Sequence, residues 1–130
     1  MIKVLFVCLG NICRSPIAEG VFRDLVEKAG LSDIIQCDSA GTASYHIGSL
    51  PDRRMRQIGQ QNGLDLRHKS RKLVGDDFYT FDYIVAMDEA NFEDIRNQSY
   101  RSSGFYFPED RLFLYRQFDS AVQTSDTLED

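Results

Sequence analysis

At 130 residues, 42% hydrophobic and 27% charged, with a formal net charge of −5, the chain has the make-up of one globular domain over residues 1–130. No apolar run is long enough to span a membrane and the first is too short for a signal peptide; the odd count of three cysteines argues against a secreted disulfide framework, so a cytoplasmic, membrane-free protein is expected. There is no C-x2-C pair and the two histidines, His46 and His68, are far apart, so neither a metal nor another cofactor is expected.

Ile2 to Val7, interrupted only by Lys3, reads as a buried strand. It runs into Cys8-Leu9-Gly10-Asn11-Ile12-Cys13-Arg14-Ser15-Pro16, where the spacing C-x5-R-S suits a thiolate nucleophile held in a phosphate-binding loop. Gly10 and Asn11 are the residue types that most readily take left-handed angles, which a loop needs if successive N–H groups are to point at an anion. Ser15 is a natural N-cap and Pro16 a natural first helical residue. The helix N-terminus then favours negative charge on a bound phosphate and on Cys8. Arg14 brings a planar fork that can grip two phosphoryl oxygens, which lysine cannot imitate. Taken alone, a cysteine near a strand end is a small buried hydrophobe, and that reading suits Cys37.

Further along, Ala18, Val21, Phe22, Leu25, Val26 and Ala29 recur at helical spacing, with Gly30 as the stop. Ile34 to Ser39 is a second strand candidate and residues 40–51 a loop. A helix from about Asp52 to Asn62 is expected to turn Met55 and Ile58 inward and to end at Gly63. Phe81 to Met87 reads as a third strand, followed by a short helix with Phe92 and Ile95 on one side. Ser99 to Gly104 has loop composition, and Arg111 to Tyr115 reads as a fourth strand. The alternation predicts an α/β fold: an open four-stranded parallel sheet with helices on both faces and a phosphate-binding loop after strand 1. Between Arg53 and Lys72 seven basic residues meet one acid, yet interleaved aromatics are lacking and the chain is acidic overall. A solvated face, not nucleic-acid binding, is expected there.

The segment Cys8 to Pro16 resembles the N-terminal signature of the low-molecular-weight protein tyrosine phosphatases, C-x-G-N-x-C-R-S-P. Asp38-Ser39-Ala40-Gly41-Thr42, Pro51-Asp52-Arg53-Arg54 and Phe81 to Glu89, ending in Met87-Asp88-Glu89, are similar to further blocks of that family, in its order. The resemblance implies a phosphatase that hydrolyses aryl phosphate monoesters through a cysteinyl-phosphate on Cys8, acting on phosphotyrosine in proteins or on small aryl phosphates, with phosphate ion as product or inhibitor. It implies a loop of Leu9, Gly10, Asn11, Ile12, Cys13, Arg14 and Ser15, a hydrogen-bond network joining Asn11, Ser15, Ser39 and His68, an aromatic rim residue at Tyr45, and a redox partner for Cys8 at Cys13. From the residues alone, Ser39 is a strand-end polar residue, His68 a surface histidine, Tyr45 a loop tyrosine and Cys13 loop packing.

The family's D-P-Y-Y acid loop has no match, because the sequence stops at Thr127-Leu128-Glu129-Asp130 about where it should begin. The expectation is a C-terminally incomplete domain, with the general acid at Asp130 or beyond; Asp126 and Glu129 are nearby acids that nothing promotes. Two alternatives stand beside the phosphatase. One is a module that captures phosphate or phosphotyrosine with little turnover. The other is an arsenate reductase, whose relay needs cysteines around residues 80–90, where this sequence has none.

Overall fold

An apolar run makes β1 (Ile2–Cys8) the strand about which the rest assembles. The computed structural model describes residues 1–12, 14–43 and 46–118, with Phe118 described by its backbone alone. After β1 come α1 (Arg14–Lys28), β2 (Ile35–Gly41), α2 (Arg53–Gln61), the one-turn α3 (Asp77–Thr80), β3 (Tyr83–Ala86), α4 (Glu89–Ser103) and β4 (Leu112–Leu114). Short 3-10 turns at Glu109–Arg111 and Tyr115–Phe118 flank β4. The strands pair in parallel in the order β2-β1-β3-β4, the α/β architecture expected.

Alternation along β1 feeds two cores. Leu5 and Val7, with Ile84 and Ala86 of β3, pack on the α4 side against Ile95 and Phe107. Val4, Phe6 and Cys8, with Val85 and Met87, pack on the other side against Ala18 and Phe22 of α1. Burying a side chain such as Leu5, Ile84 or Ile95 stabilises the fold by about 1.5–3 kcal/mol each. Beside Phe22 the second face carries an apolar groove of about 300 Å³, lined by Val4, Phe6, Tyr83, Val85, Phe113 and Tyr115.

Several local expectations need correction. α1 begins at Arg14, so Ser15 and Pro16 lie inside its first turn instead of capping it. Proline is tolerated there because first-turn N–H groups have no helical partner. Its inward stripe is Ser15, Ala18, Glu19 and Val26, while Val21 and Leu25 are exposed. In α2, capped by Asp52 on the N–H of Arg54, the buried position is Gly59, against Leu66, and Ile58 is exposed. α4 runs through the stretch expected to be loop and stops at Gly104, which is left-handed at φ 81°. Its serines explain the error: Ser102 and Ser103 hydroxyls donate to carbonyls one turn back (both 2.8 Å), and buried Ser99 accepts the Phe107 N–H at 2.9 Å. Residues that compete for backbone bonds in loops are here absorbed by a helix.

Parallel neighbours on both sides of β1 open a crevice where the chain leaves its C-terminal end. Cys8 is at that end, in register with Gly41 of β2. Gly41 is required by close approach: a Cβ there would lie 2.7 Å from the Leu9 carbonyl oxygen. Gly41→Ala is therefore expected to push the loop outward and cost about 1–3 kcal/mol in a denaturant titration. An unchanged midpoint would show that the loop yields freely.

Candidate active site

Residues 8–12 curl over the end of β1, and the carbonyls of Cys8, Leu9, Gly10 and Ile12 are engaged from outside. The Cys8 and Leu9 carbonyls accept the Thr42 and Ala43 N–H groups at 2.9 and 3.0 Å. That of Gly10 accepts the Ser70 hydroxyl at 2.9 Å, and that of Ile12 the Asp52 N–H at 2.7 Å. With carbonyls turned out, the loop can offer N–H groups to an anion. Among the described residues Asn11 is the one non-glycine with positive φ, at 59°. Gly10 does not share that conformation, contrary to expectation. A side chain would be crowded there, since a Cβ would meet His46 Cδ2 at 3.0 Å and the imidazole would have to shift.

Left-handed asparagine costs roughly 1–2 kcal/mol, and the buried Asn11 side chain offsets this by bonding at both ends. Its Nδ2 donates to Ser15 Oγ at 2.8 Å, and its Oδ1 accepts the Arg71 N–H at 3.1 Å and His68 Nε2 at 2.8 Å. Because Oδ1 can only accept, His68 carries its hydrogen on Nε2. Ser15 Oγ, already an acceptor, is 2.9 Å from Cys8 Sγ and has its own hydrogen for the sulfur. The Asn11 N–H also reaches Sγ, at 3.1 Å. A line of donors thus runs from His68 through Asn11 and Ser15 to Cys8, an arrangement that suits a negatively charged sulfur.

Arg14, at the start of α1, places Nη1 3.1 Å from Oδ2 of Asp88. Asp88 is the N-cap of α4, with Oδ1 accepting the Asn91 N–H at 2.7 Å. The loop arginine is thereby referenced to the far side of the sheet.

The Ser39 hydroxyl is hydrogen-bonded not to Asn11, Ser15 or His68 but to Glu19. Its hydroxyl donates to Oε1 of Glu19 at 2.6 Å, and that oxygen lies 3.7 Å from His68 Nδ1. Glu19 is only 2% exposed and pairs with Arg23 at 2.6 Å. Burial works against the charge on Arg23, but Glu19, Cys37 and Asp38 together outweigh it and raise its pKa. Asp38 lies 3.3 Å from His68 Nδ1 and 3.1 Å from Arg71 Nε. Glu19, Asp38 and His68 bring ligand atoms within 4.8 Å of one another, although those side chains are already bonded to Ser39, Arg23, Arg71 and Asn11. Sequence reasoning missed Glu19, Asp38, Ser70, Arg71 and Asp88 as site residues. For Glu19 a signal existed: it falls on the same helical stripe as Ser15, Ala18 and Phe22.

Cys13, Tyr45, Asp126, Glu129 and Asp130 lie outside the described residues. Cys37, on β2, is half-buried, and burial pushes its thiol up to about 11, with nearby Arg23 opposing and Glu19 and Asp38 assisting. A raised thiol pKa favours the neutral folded form, so its contribution to stability is complete below the ordinary thiol value and lost as pH rises through about 11. Cys37 should therefore alkylate much more slowly in the folded chain than in the unfolded one near neutral pH. Peptide mass mapping after iodoacetamide checks this, and equal rates would contradict the burial.

Fold and site together define a class: an α/β domain whose first strand delivers a cysteine into an anion-cradling loop, with an arginine six residues on. The sequence model described as low molecular weight phosphotyrosine protein phosphatase matches residues 3–129, and this chain belongs to that family. It is 55% identical over 97 residues to the low molecular weight phosphotyrosine protein phosphatase of Schizosaccharomyces pombe, covering 72% of this chain and 61% of that one. The Rattus norvegicus relative of the same description is 50% identical over 97 residues, covering 75% and 61%. A crystal structure of the protein tyrosine phosphatase from Entamoeba histolytica superposes with a TM-score of 0.81 at 41% identity, covering 91% of this chain and 72% of that one. The chain spans about three-fifths of the length of these curated relatives, 61% in both cases.

Proposed function

We propose that this chain carries the nucleophile and phosphate-binding half of a protein tyrosine phosphatase that cleaves aryl phosphate monoesters, on phosphotyrosine proteins or small aryl phosphates, in the cytoplasm. The observation that supports it best is Cys8 Sγ beneath the Asn11 N–H and the Ser15 hydroxyl, at 3.1 and 2.9 Å, within a loop whose carbonyls face outward. The thiolate attacks phosphorus, forming the S–P bond as the P–O bond to the aryl group breaks. Arg14 pairs with the equatorial oxygens and stabilises their charge in transit. The aryl oxygen leaves with a proton from an acid that we assign to Asp130 or a residue beyond it, outside the described residues. Water then attacks phosphorus, giving a proton to the carboxylate left by the first step, and as the S–P bond breaks sulfur departs as a thiolate stabilised by Ser15. Leu9, Gly10, Ile12 and Cys13 complete the loop, His68 and Ser39 brace it, Tyr45 forms the rim, and Cys13 is the thiol available to an oxidised Cys8.

Rapid acid quench of the chain with p-nitrophenyl phosphate, followed by peptide mapping, tests the reading. A good leaving group needs little acid assistance, so phosphate is expected on the Cys8 peptide together with steady release of nitrophenol. Bound phosphate without any phosphorylated peptide or release would instead identify a capture module.

A further inference from the structure

We propose that Arg71 is a positioning residue for the Cys8 site, setting the Asn11–Ser15 hydrogen-bond line through its own peptide while its guanidinium locks that peptide between β2 and α3. This rests on the phosphatase reading above. The Arg71 side chain is shared between two carboxylates: Nε donates to Asp38 Oδ2 at 3.1 Å, and Nη1 and Nη2 donate to the two oxygens of Asp77 at 3.0 and 3.1 Å. Asp77 is only 5% exposed and also accepts the Val74 N–H at 2.8 Å, so the fork closes on a fixed partner. The peptide is held as firmly. The Arg71 carbonyl accepts the Gly41 N–H at 2.8 Å, at the point where β2 ends beneath the loop. Its N–H donates to Asn11 Oδ1 at 3.1 Å, the oxygen that also takes His68 Nε2.

This geometry sets Arg71 apart from a salt bridge that merely joins two elements. An Asn11 amide held at Oδ1 by two donors presents Nδ2 to Ser15, which takes up one lone pair of that hydroxyl and favours turning its hydrogen toward sulfur. Loosening the Arg71 peptide weakens one of those donors and leaves the amide held at Oδ1 mainly by His68. Asp38 would lose its guanidinium at the same time, on the side where its other oxygen faces His68. The loop carbonyls stay tethered by Thr42, Ala43, Ser70 and Asp52, so the anion cradle survives while the sulfur loses its aligned donor. The effect therefore falls on sulfur as nucleophile and leaving group, which is read in kcat, more than on phosphate binding, which is read in KM. Lysine can pair with one carboxylate but cannot bridge two, so Arg71→Lys should recover part of the loss.

The test is steady-state hydrolysis of p-nitrophenyl phosphate by the full chain and by Arg71→Met and Arg71→Lys, with inorganic phosphate inhibition alongside. Ile95→Val, a core change on α4 remote from the loop, serves as a destabilised control. For Arg71→Met, kcat is expected to fall about 10- to 100-fold, with KM and phosphate inhibition within about threefold of wild type. Arg71→Lys should lie between. All three are compared at a temperature where circular dichroism shows each folded, and Arg71→Lys alone carries the test if the methionine variant does not fold. Wild-type kcat in both arginine variants, or losses that merely track the fraction folded as in Ile95→Val, would overturn the proposal and leave the phosphatase reading standing. A wild-type chain that binds phosphate without Cys8-dependent turnover would overturn both.

Discussion

Arg14→Lys is expected to lower kcat for p-nitrophenyl phosphate by on the order of 10^3-fold, with a smaller rise in KM. The charge is kept, so loss of attraction for the dianion cannot account for such a drop. What disappears is the fork. Arg14 directs Nη1 to Asp88 Oδ2 at 3.1 Å, and the same rigid plane carries further N–H groups suited to phosphoryl oxygens. A lysine ammonium has three donors on one freely rotating atom and cannot hold the Asp88 reference and two oxygens in a fixed plane. Steady-state kinetics on the purified variant, with circular dichroism to confirm folding, checks the outcome. Near-normal turnover would mean that the loop amides alone stabilise the transferring group and that Arg14 has another task.

Cys8→Ser should abolish turnover, with a fall of about 10^4-fold or more, while inorganic phosphate still binds. The two predictions separate because different atoms serve each function. In the proposed site phosphate contacts fall to the loop N–H groups and the Arg14 guanidinium, not to the sulfur. Bond making at phosphorus requires a strong nucleophile, and a serine hydroxyl beneath the same donors is a far poorer one than a cysteine sulfur. Calorimetric titration of phosphate alongside the hydrolysis assay reads both. Turnover surviving in Cys8→Ser would place the nucleophile elsewhere, and loss of phosphate binding would show that the thiol supports the loop itself.

The parts of this site that follow one another along the chain are legible in the amino-acid sequence. β1, the C-x5-R spacing, left-handed Asn11 and the start of α1 span one short stretch, and each leaves a local signature of apolar run, turn residue or helix former. Resemblance to a family adds His68 and Ser39, which carry no signature of their own. The missed features belong to two kinds. Ser99 to Ser103 reads as loop because serine competes for backbone bonds, and the packing of α4 with Ser99 buried overrides that preference. Asp38, Asp77 and Asp88 were missed because nothing local distinguishes a buried, paired carboxylate from an exposed one, whereas Glu19 could be placed only by its helical stripe.

What the sequence by itself determined is therefore the chemistry at the end of β1: a thiol, an arginine at the sixth position and a backbone able to curl between them. Tertiary structure decided how those groups are held. His68 is 57 residues from Asn11, and Asp88 is 74 residues from Arg14. They meet only because parallel pairing delivers the ends of β1, β2 and β3 to one edge of the sheet. Hydrogen-bond direction and charge pairing depend on distances of about 3 Å, and only packing of distant segments sets distances on that scale.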